Sequence, residues 1–338
     1  MSEQLTGGKH FGLATRLFLL CAVLLFILAV AILLGLGAGS SGIDLREAWG
    51  ALLGQGEAVE QTIVRQIRLP RVILAGSVGA TLALGGLVFQ ALLRNPLAEP
   101  YILGVSGGAA VGAICGMFLG LTPFPGVSLA AFGGSMLVLV LIILLAGGQA
   151  GFRKDSLLLG GVMMNAFCGA VIMFLLAVSH SAQVQQVLFW LMGDLSMITA
   201  ERLPTLLLIL PCFGIILALA RPMNLLLLGG ESASVLGVNV RLISLLLLAT
   251  TSFMVSIVVS LSGLVGFVGL VIPHIFRLIL GSDHRLLIPA CILGGASYLI
   301  ACDLLARLLS VGGELPVGII TALIGAPLFV FLLWRSGR

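Results

Sequence analysis

An all-α protein that crosses a membrane about ten times is the fold class this sequence predicts, and three observations predict it. Of its 338 residues, 60% are hydrophobic and only 9% charged, with a mean hydropathy of +1.24. A water-soluble domain carries about 25% charged residues, so this chain could not cover its surface in water. Apolar runs recur from one end to the other, each of roughly twenty residues, long enough for ~30 Å of hydrocarbon. The short alternating strands of a transmembrane β-barrel are not visible in the sequence.

The first run covers 15–37, behind Lys9, His10 and Arg16. It exceeds the ~7–15 residues of a signal-peptide core and reads as a retained span. Further spans are expected at 70–93, 99–120, 126–147, 156–179, 202–220, 240–262, 285–307 and 316–335. A stretch at 271–281 is half the required length, which predicts a partial or re-entrant helix shielded by protein. Residues 184–195 are amphipathic and are expected at one surface. No linker divides 1–338, which predicts a single domain with a short cytoplasmic N-terminus (1–14) and a cytoplasmic loop at about 221–239. Segments 79–112 and 260–296 share a pattern of Gly-rich helix, polar turn and Gly-rich helix, as an inverted repeat does; coincidence between two such apolar segments explains the pattern equally.

With the N-terminus in the cytoplasm, Lys9, Arg16, Arg94, Arg153, Lys154, Arg221, Arg241, Arg277, Arg285, Arg335 and Arg338 fall inside. Arg46, Arg65, Arg68, Arg71, Arg202 and Arg307 fall outside. The bias places both termini inside. The outer arginines invite two explanations. Arg65, Arg68 and Arg71 either snorkel at the interface and pair with Glu57 and Glu60, or present a basic patch to an acidic partner.

Between the second and third spans stands Arg94-Asn95-Pro96-Leu97-Ala98-Glu99-Pro100. Its two prolines stop a helix from running through. Gly104, Gly108, Gly112, Gly116 and Gly120 then recur every fourth residue, so one helix face is nearly bare and a neighbouring element or a passing solute is expected close to it. Cys21, Cys115, Cys168, Cys212, Cys291 and Cys302 lie in apolar runs without CxxC spacing, and read as small buried hydrophobes rather than disulfides or metal ligands.

No Gly-x-x-x-x-Gly-Lys-Ser/Thr occurs, so the chain cannot hydrolyse ATP by a phosphate-binding loop. His10, His180, His274 and His284 are scattered and form no catalytic or metal constellation. The net charge of +4 is too small and dispersed for nucleic-acid binding. Asp303 and Arg307, four apart on the ninth span, read as a local ion pair. An ion-coupled secondary carrier with Asp303 as coupling group is the alternative from a different class. In the most polar inner loop, Glu231 suits the first turn of a short helix and Gly237 its C-terminal cap. Such a helix is either a surface connector or a peg seated in a cytoplasmic partner.

Taken in order, Arg68-Leu-Pro-Arg71, Gln90-Ala-Leu-Leu-Arg-Asn95-Pro-Leu-Ala-Glu99-Pro, Leu103-Gly-Val-Ser106-Gly-Gly, Gly230-Glu-Ser-Ala-Ser-x-Leu-Gly237 and Gly266-Phe-Val-Gly-Leu-Val-Ile-Pro273-His274-Ile-x-Arg277 resemble one family. Asp283-His284-Arg285, Glu314-Leu-Pro316 and Gly325-Ala-Pro327 extend the match. It is the permease subunit of binding-protein-dependent ABC importers for iron–siderophore complexes, haem and vitamin B12.

The resemblance implies a type II importer fold with ten transmembrane helices, working as a homodimer or paired heterodimer in the cytoplasmic (inner) membrane. It implies a periplasmic or extracellular binding protein, two cytoplasmic ATPase subunits that carry the ATP–Mg, and no cofactor or metal on this chain. Gly230, Glu231, Ser232, Leu236 and Gly237 would then couple to the ATPase, and Arg68, Arg71 and Arg307 would dock the binding protein, a role that competes with the Asp303–Arg307 pair. Asn95 and Leu97 match an inner gate. Ser106, Gly108, Met163 and Asn165 are expected along the path, while Lys154-Asp155-Ser156 stands where a further gate element is expected; small hydroxyl residues occur there in some relatives, and the charges of Lys154 and Asp155 depart from them. Iron chelates are the first expectation for the cargo, with haem and vitamin B12 following.

Overall fold

A computed structural model of the protein describes residues 12–39, 45–146, 154–179, 181–310 and 315–336. The described chain is helical throughout, without a strand. Helix α1 (Leu13–Gly37) is followed by the short α2 (Leu45–Leu52) and α3 (Ala58–Thr62), and a π-helical turn (Ile63–Arg68) leads into α4 (Leu69–Leu93). A 3-10 turn (Pro100–Leu103) precedes α5 (Val105–Phe118); α6 (Ser128–Ala146), α7 (Lys154–Val178) and α8 (Ser181–Leu191) come next. A 3-10 stretch (Ala200–Leu208) opens α9 (Ile209–Ala218), before the short α10 (Ala220–Leu227) and α11 (Gly230–Val235). Helices α12 (Val240–Ser262), α13 (Val268–Leu280), α14 (His284–Leu309) and α15 (Val317–Ser336) complete the order. Among the described residues, seven segments are long and apolar enough to cross a membrane, and three shorter apolar helices bring the total to the ten expected positions.

Helix α4 is the hub. Of its apolar window 83% is buried, against 6% for α1 and 11% for α7, which stand at the periphery. Helices in lipid gain little from burying apolar area against one another, so close packing needs small residues at the crossings. A Cβ on Gly79 would overlap the Gly295 carbonyl of α14, and one on Gly86 the Gly269 carbonyl of α13. We expect Gly86→Val to cost about 3 kcal/mol by forcing these backbones apart. Gly133→Ala, with no neighbour within 4 Å, should leave the thermal unfolding midpoint in detergent unchanged; equal midpoints for both variants would contradict the close crossing.

Helices α5 and α13 have 14 and 13 residues, about 21 and 20 Å at 1.5 Å per residue, too short for ~30 Å of hydrocarbon. Chain outside the α-helices at 99–104 and 263–267 therefore lies at membrane depth. Such backbone persists only where protein satisfies it. The Tyr101 hydroxyl donates to the Val265 carbonyl (2.7 Å) and accepts from the Val265 N–H (2.5 Å). Gln90 Nε2 donates to the Gly269 carbonyl at 3.1 Å, and the Leu264 N–H donates to the Trp190 carbonyl at 3.3 Å. The partial helix expected at 271–281 is thus α13, beginning at Val268 with its first half buried. Both breaks fall inside the two echoing segments. Tyr101→Phe strands one buried donor and one buried acceptor, about 2–4 kcal/mol together, and is expected to lower the unfolding midpoint well below that of an exposed control such as Gly133→Ala.

The ends sort cleanly. Gly35, at the C-terminal end of α1, meets Arg307 near the end of α14, so α1 finishes where α4 begins and α14 ends. Gly318 of α15 packs on Met192 and Leu264, and Phe329 lies 5.8 Å ring to ring from His274. Helix α15 therefore runs back toward the Asn95 end, where α1 also starts. Four of the six cysteines are buried; Cys21 is half-buried and Cys115 exposed on α5, so the expectation of buried thiols fails there.

Candidate functional site

At the Arg68 end the three arginines face inward. Arg68 is 4% exposed and donates through one nitrogen to the carbonyls of Leu36 (2.6 Å) and Gly37 (2.9 Å). Arg71 Nε donates to Asp303 Oδ1 at 2.8 Å, and Asp303 is 1% exposed. Arg307 Nε stands 3.1 Å from Asp303 Oδ2, close enough to pair but not aligned as a hydrogen bond. Its other nitrogens donate to the carbonyls of Gly35 (2.8 Å) and Ala38 (3.3 Å). The last carbonyls of a helix are unmatched within it and carry its partial negative charge. Arg68, Arg71, Arg307 and Asp303 thus clamp the end of α1 to α4 and α14. The expected local Asp303–Arg307 pair is present, widened by Arg71. Pairing of the arginines with Glu57 and Glu60 does not occur. The Glu57 N–H donates to Glu60 Oε2 (3.1 Å) in a capping box on α3, and Arg65 donates to the Leu52 carbonyl. Snorkelling does not describe Arg68 and Arg71 either, because both are buried.

At the opposite end the chain leaves α4 through Arg94 in the left-handed region (φ 49°). Asn95 Oδ1 then accepts the Leu97 N–H at 2.9 Å, a turn that Pro96 pre-sets, and Leu97 projects into solvent at 42% exposure. The Arg94 guanidinium lies next to Gly229, the entry to α11. The turn and the loop expected to carry gate and peg are therefore neighbours.

Helix α11 is built as a rigid knob. Gly230 and Glu231 open it, Ser232 and Glu231 are exposed, and Ala233 faces inward fully buried. Gly237 at φ 86° closes it, with Gly237 N–H to the Ser234 carbonyl and Val238 N–H to the Ala233 carbonyl, the double bond of a glycine-terminated helix. Leu236 is 58% exposed and Val235 88%. Val235 escaped the sequence reading, although its place two residues after inward-facing Ala233 puts it on the opposite face. Asn239 caps α12 by accepting the Leu242 N–H at 3.0 Å.

A polar joint ties this knob to the body. Asn224 of α10 donates to Asp283 Oδ1 (2.8 Å) and accepts the His284 N–H (2.8 Å). His284 Nδ1 lies 2.7 Å from the same Asn224 oxygen, which makes Nδ1 the protonated nitrogen. Arg285 grips both oxygens of Asp283 at 2.7 to 3.1 Å. Those bonds, with Asn224's, hold the Asp283 carboxyl below the usual carboxylate range despite partial burial. Arg277 donates to Gln90 Oε1 at 2.7 Å, joining α13 to α4.

The glycine stripe has a neighbouring element against it, not an open path. Gly108 meets Gly134 and Val138 of α6, and Gly112 meets Ala130. Ser106 is 1% exposed. The expected path residues Ser106 and Gly108 thus sit in a helix crossing. Met163 (58% exposed) and Asn165 remain on the open face of α7. Asn165 is a polar group at the level of Gly104 and Gly107 on α5, as a water-filled cavity demands and lipid does not. Asp155 and Ser156 fall in the first turn of α7, and their side chains lie outside the described residues. Among the described residues no group of three His, Cys, Asp or Glu gathers as a metal site.

The FecCD transport family matches residues 27–335. The vitamin B12 import system permease protein BtuC of Klebsiella pneumoniae is 41% identical over 316 residues, covering 93% of this chain and 92% of the relative. Its counterpart in Escherichia coli K12 is 40% identical over 323 residues, covering 95% and 96%. Among solved structures, an inward-facing metal-chelate type ABC transporter superposes with a TM-score of 0.83 at 34% identity, covering 95% of this chain and 99% of that one. PsaBC from Streptococcus pneumoniae in complex with Fab gives 0.55 at 16% identity, covering 85% and 94% of the two chains, a likeness of fold alone.

Proposed function

The chain belongs to the FecCD transport family, and we propose that it is the membrane-spanning permease subunit of an ATP-driven importer for a bulky metal chelate. The observation that carries this reading is α11, a capped helix that holds two large apolar side chains out of the body in a chain with no phosphate-binding loop. The knob is the seat for a separate ATPase subunit, which carries the ATP–Mg, and this chain binds no cofactor of its own. The Asn95 end then faces the cytoplasm with both termini, in keeping with its larger share of Lys and Arg. The Arg68 end faces a periplasmic or extracellular binding protein. The open faces of α7, with Asn165, suit a second copy of the chain and a path between the two. A homodimer is the simplest assembly.

Vitamin B12, the cargo named for the relatives at 40–41% identity, moves ahead of iron–siderophore and haem as the chelate to test. Reconstitution with the ATPase and binding protein should give ATP-dependent uptake of that cargo, and none without the ATPase. Uptake by this chain alone, driven by an ion gradient, would sink the reading in favour of a secondary carrier. Asp303 is a poor coupling group for such a carrier, since guanidiniums flank both of its oxygens.

A further inference from the structure

At the Arg68 end, two cavities of about 410 and 200 Å3 share Ser128, Ser260 and Leu261 and so form one groove. The larger has a mostly apolar lining that carries polar and charged groups, among them Gln185, Gln186, Asp194 and Arg202, with Trp190. The smaller is an apolar cleft between α6, the 200–208 stretch and α12, with Phe132, Leu208 and Phe253 on its walls. Arg202 lies over the Phe124 ring at 5.1 Å and has no carboxylate partner among the described residues. Asp194 faces the same cavity and spends one oxygen on the Ser196 N–H at 2.8 Å.

We propose that this groove holds one phospholipid with a zwitterionic amine headgroup, from the leaflet at the Arg68 end. The phosphate sits on Arg202, whose planar fork of donors matches phosphate oxygens. The ammonium sits by Asp194, and one acyl chain runs down the apolar cleft. Asp194, on the wall of the same cavity as Arg202, is what selects against a net anionic headgroup, which it would repel. Trp190 lines the larger cavity, within reach of a lipid bound there. A transmembrane helix of a partner, about 10 Å across, does not fit a 200 Å3 cleft, whereas part of one acyl chain does. The lipid would splint α12 immediately before the break at Gly263, so it braces the segment from which α13 hangs. The site depends only on the chain lying in a bilayer and stands or falls separately from the identity of the cargo.

Quenching of Trp190 tests it. In full-length protein carrying Trp49→Phe and Trp334→Phe, Trp190 is the sole indole. Reconstituted in phosphatidylcholine vesicles, it should be quenched by acyl-brominated phosphatidylethanolamine at about threefold lower mole fraction than by acyl-brominated phosphatidylglycerol, a preference worth about 0.6 kcal/mol. Arg202→Gln should abolish that preference, and Ser260→Phe, which plugs the junction of the two cavities, should abolish it by a separate route. Should one variant fail to fold, the other carries the test. Equal quenching by the two lipids, a preference for phosphatidylglycerol, or an unchanged preference in a folded variant would overturn the proposal.

Discussion

Replacing Asp303 with leucine is expected to destabilise the transmembrane body by about 3–5 kcal/mol, the cost of leaving buried charge without its partner. The carboxylate is 1% exposed and stands between Arg71 and Arg307, with Arg68 gripping the same end of α1. Without it Arg71 and Arg307 lose the carboxylate they share, and the helix carbonyls at this end carry only about half a charge per helix end. Asp303→Asn, which keeps the shape, should cost nearly as much, and Asp303→Glu far less. The triple change Asp303→Leu/Arg71→Met/Arg307→Met should recover more than half of the loss, because buried ion clusters are often replaceable by apolar groups of similar volume. Thermal unfolding in detergent reads all four. An Asp303→Leu midpoint close to wild type would show that the cluster is hydrated rather than buried.

The triple variant also separates the two roles considered for these arginines. If they only clamp α1, the folded variant still docks a binding protein. If they also reach carboxylates on that protein when it arrives, docking weakens, most visibly at low ionic strength. The buried geometry favours the clamp in the isolated chain, since Arg68 and Arg307 already donate to α1 carbonyls.

What was readable from sequence, and what was not, follows the range of each interaction. The ten apolar positions were legible because the length of an apolar run is a local property, and even the short α13 announced itself by being too short. Glu231 and Gly237 placed α11 correctly for the same reason, since caps are written within a few residues. The contacts of the arginines were not legible because their partners are remote. Asp303 is 232 positions from Arg71, and the Leu36 carbonyl is 32 from Arg68. Nothing near Arg68 in the sequence says that a helix end is waiting there. The glycine stripe on α5 announced close contact but not with what, and only the fold supplies Gly134 of α6. The Asn224–Asp283 joint, 59 positions apart, was likewise invisible as a contact.

Truncating Val235 and Leu236 together to alanine is expected to weaken association with the ATPase subunit by about a hundredfold or more. The two changes remove about five methylene equivalents, each worth ~0.8 kcal/mol when buried in a partner's groove, and each 1.4 kcal/mol is a factor of ten. Folding should be untouched, because both side chains are exposed in the isolated chain and Ala233, which seats the helix, is left in place. Pull-down of the ATPase at graded concentrations reads the loss, and unchanged association would remove α11 as the seat. Transmission is a separate property and has its own variant. The knob is joined to the body through α10, whose Asn224 is bonded to Asp283 and His284 at the start of α14. Asn224→Leu cuts that joint while leaving every exposed residue of α11 in place. A hydrogen bond to a charged group is worth about 1.5–3 kcal/mol, so transport should fall about tenfold or more with ATPase affinity within about twofold of wild type. Loss of affinity in Asn224→Leu would mean that the joint shapes the seat; retained transport would mean that the stroke reaches the body by another route, such as the Arg94 contact at Gly229.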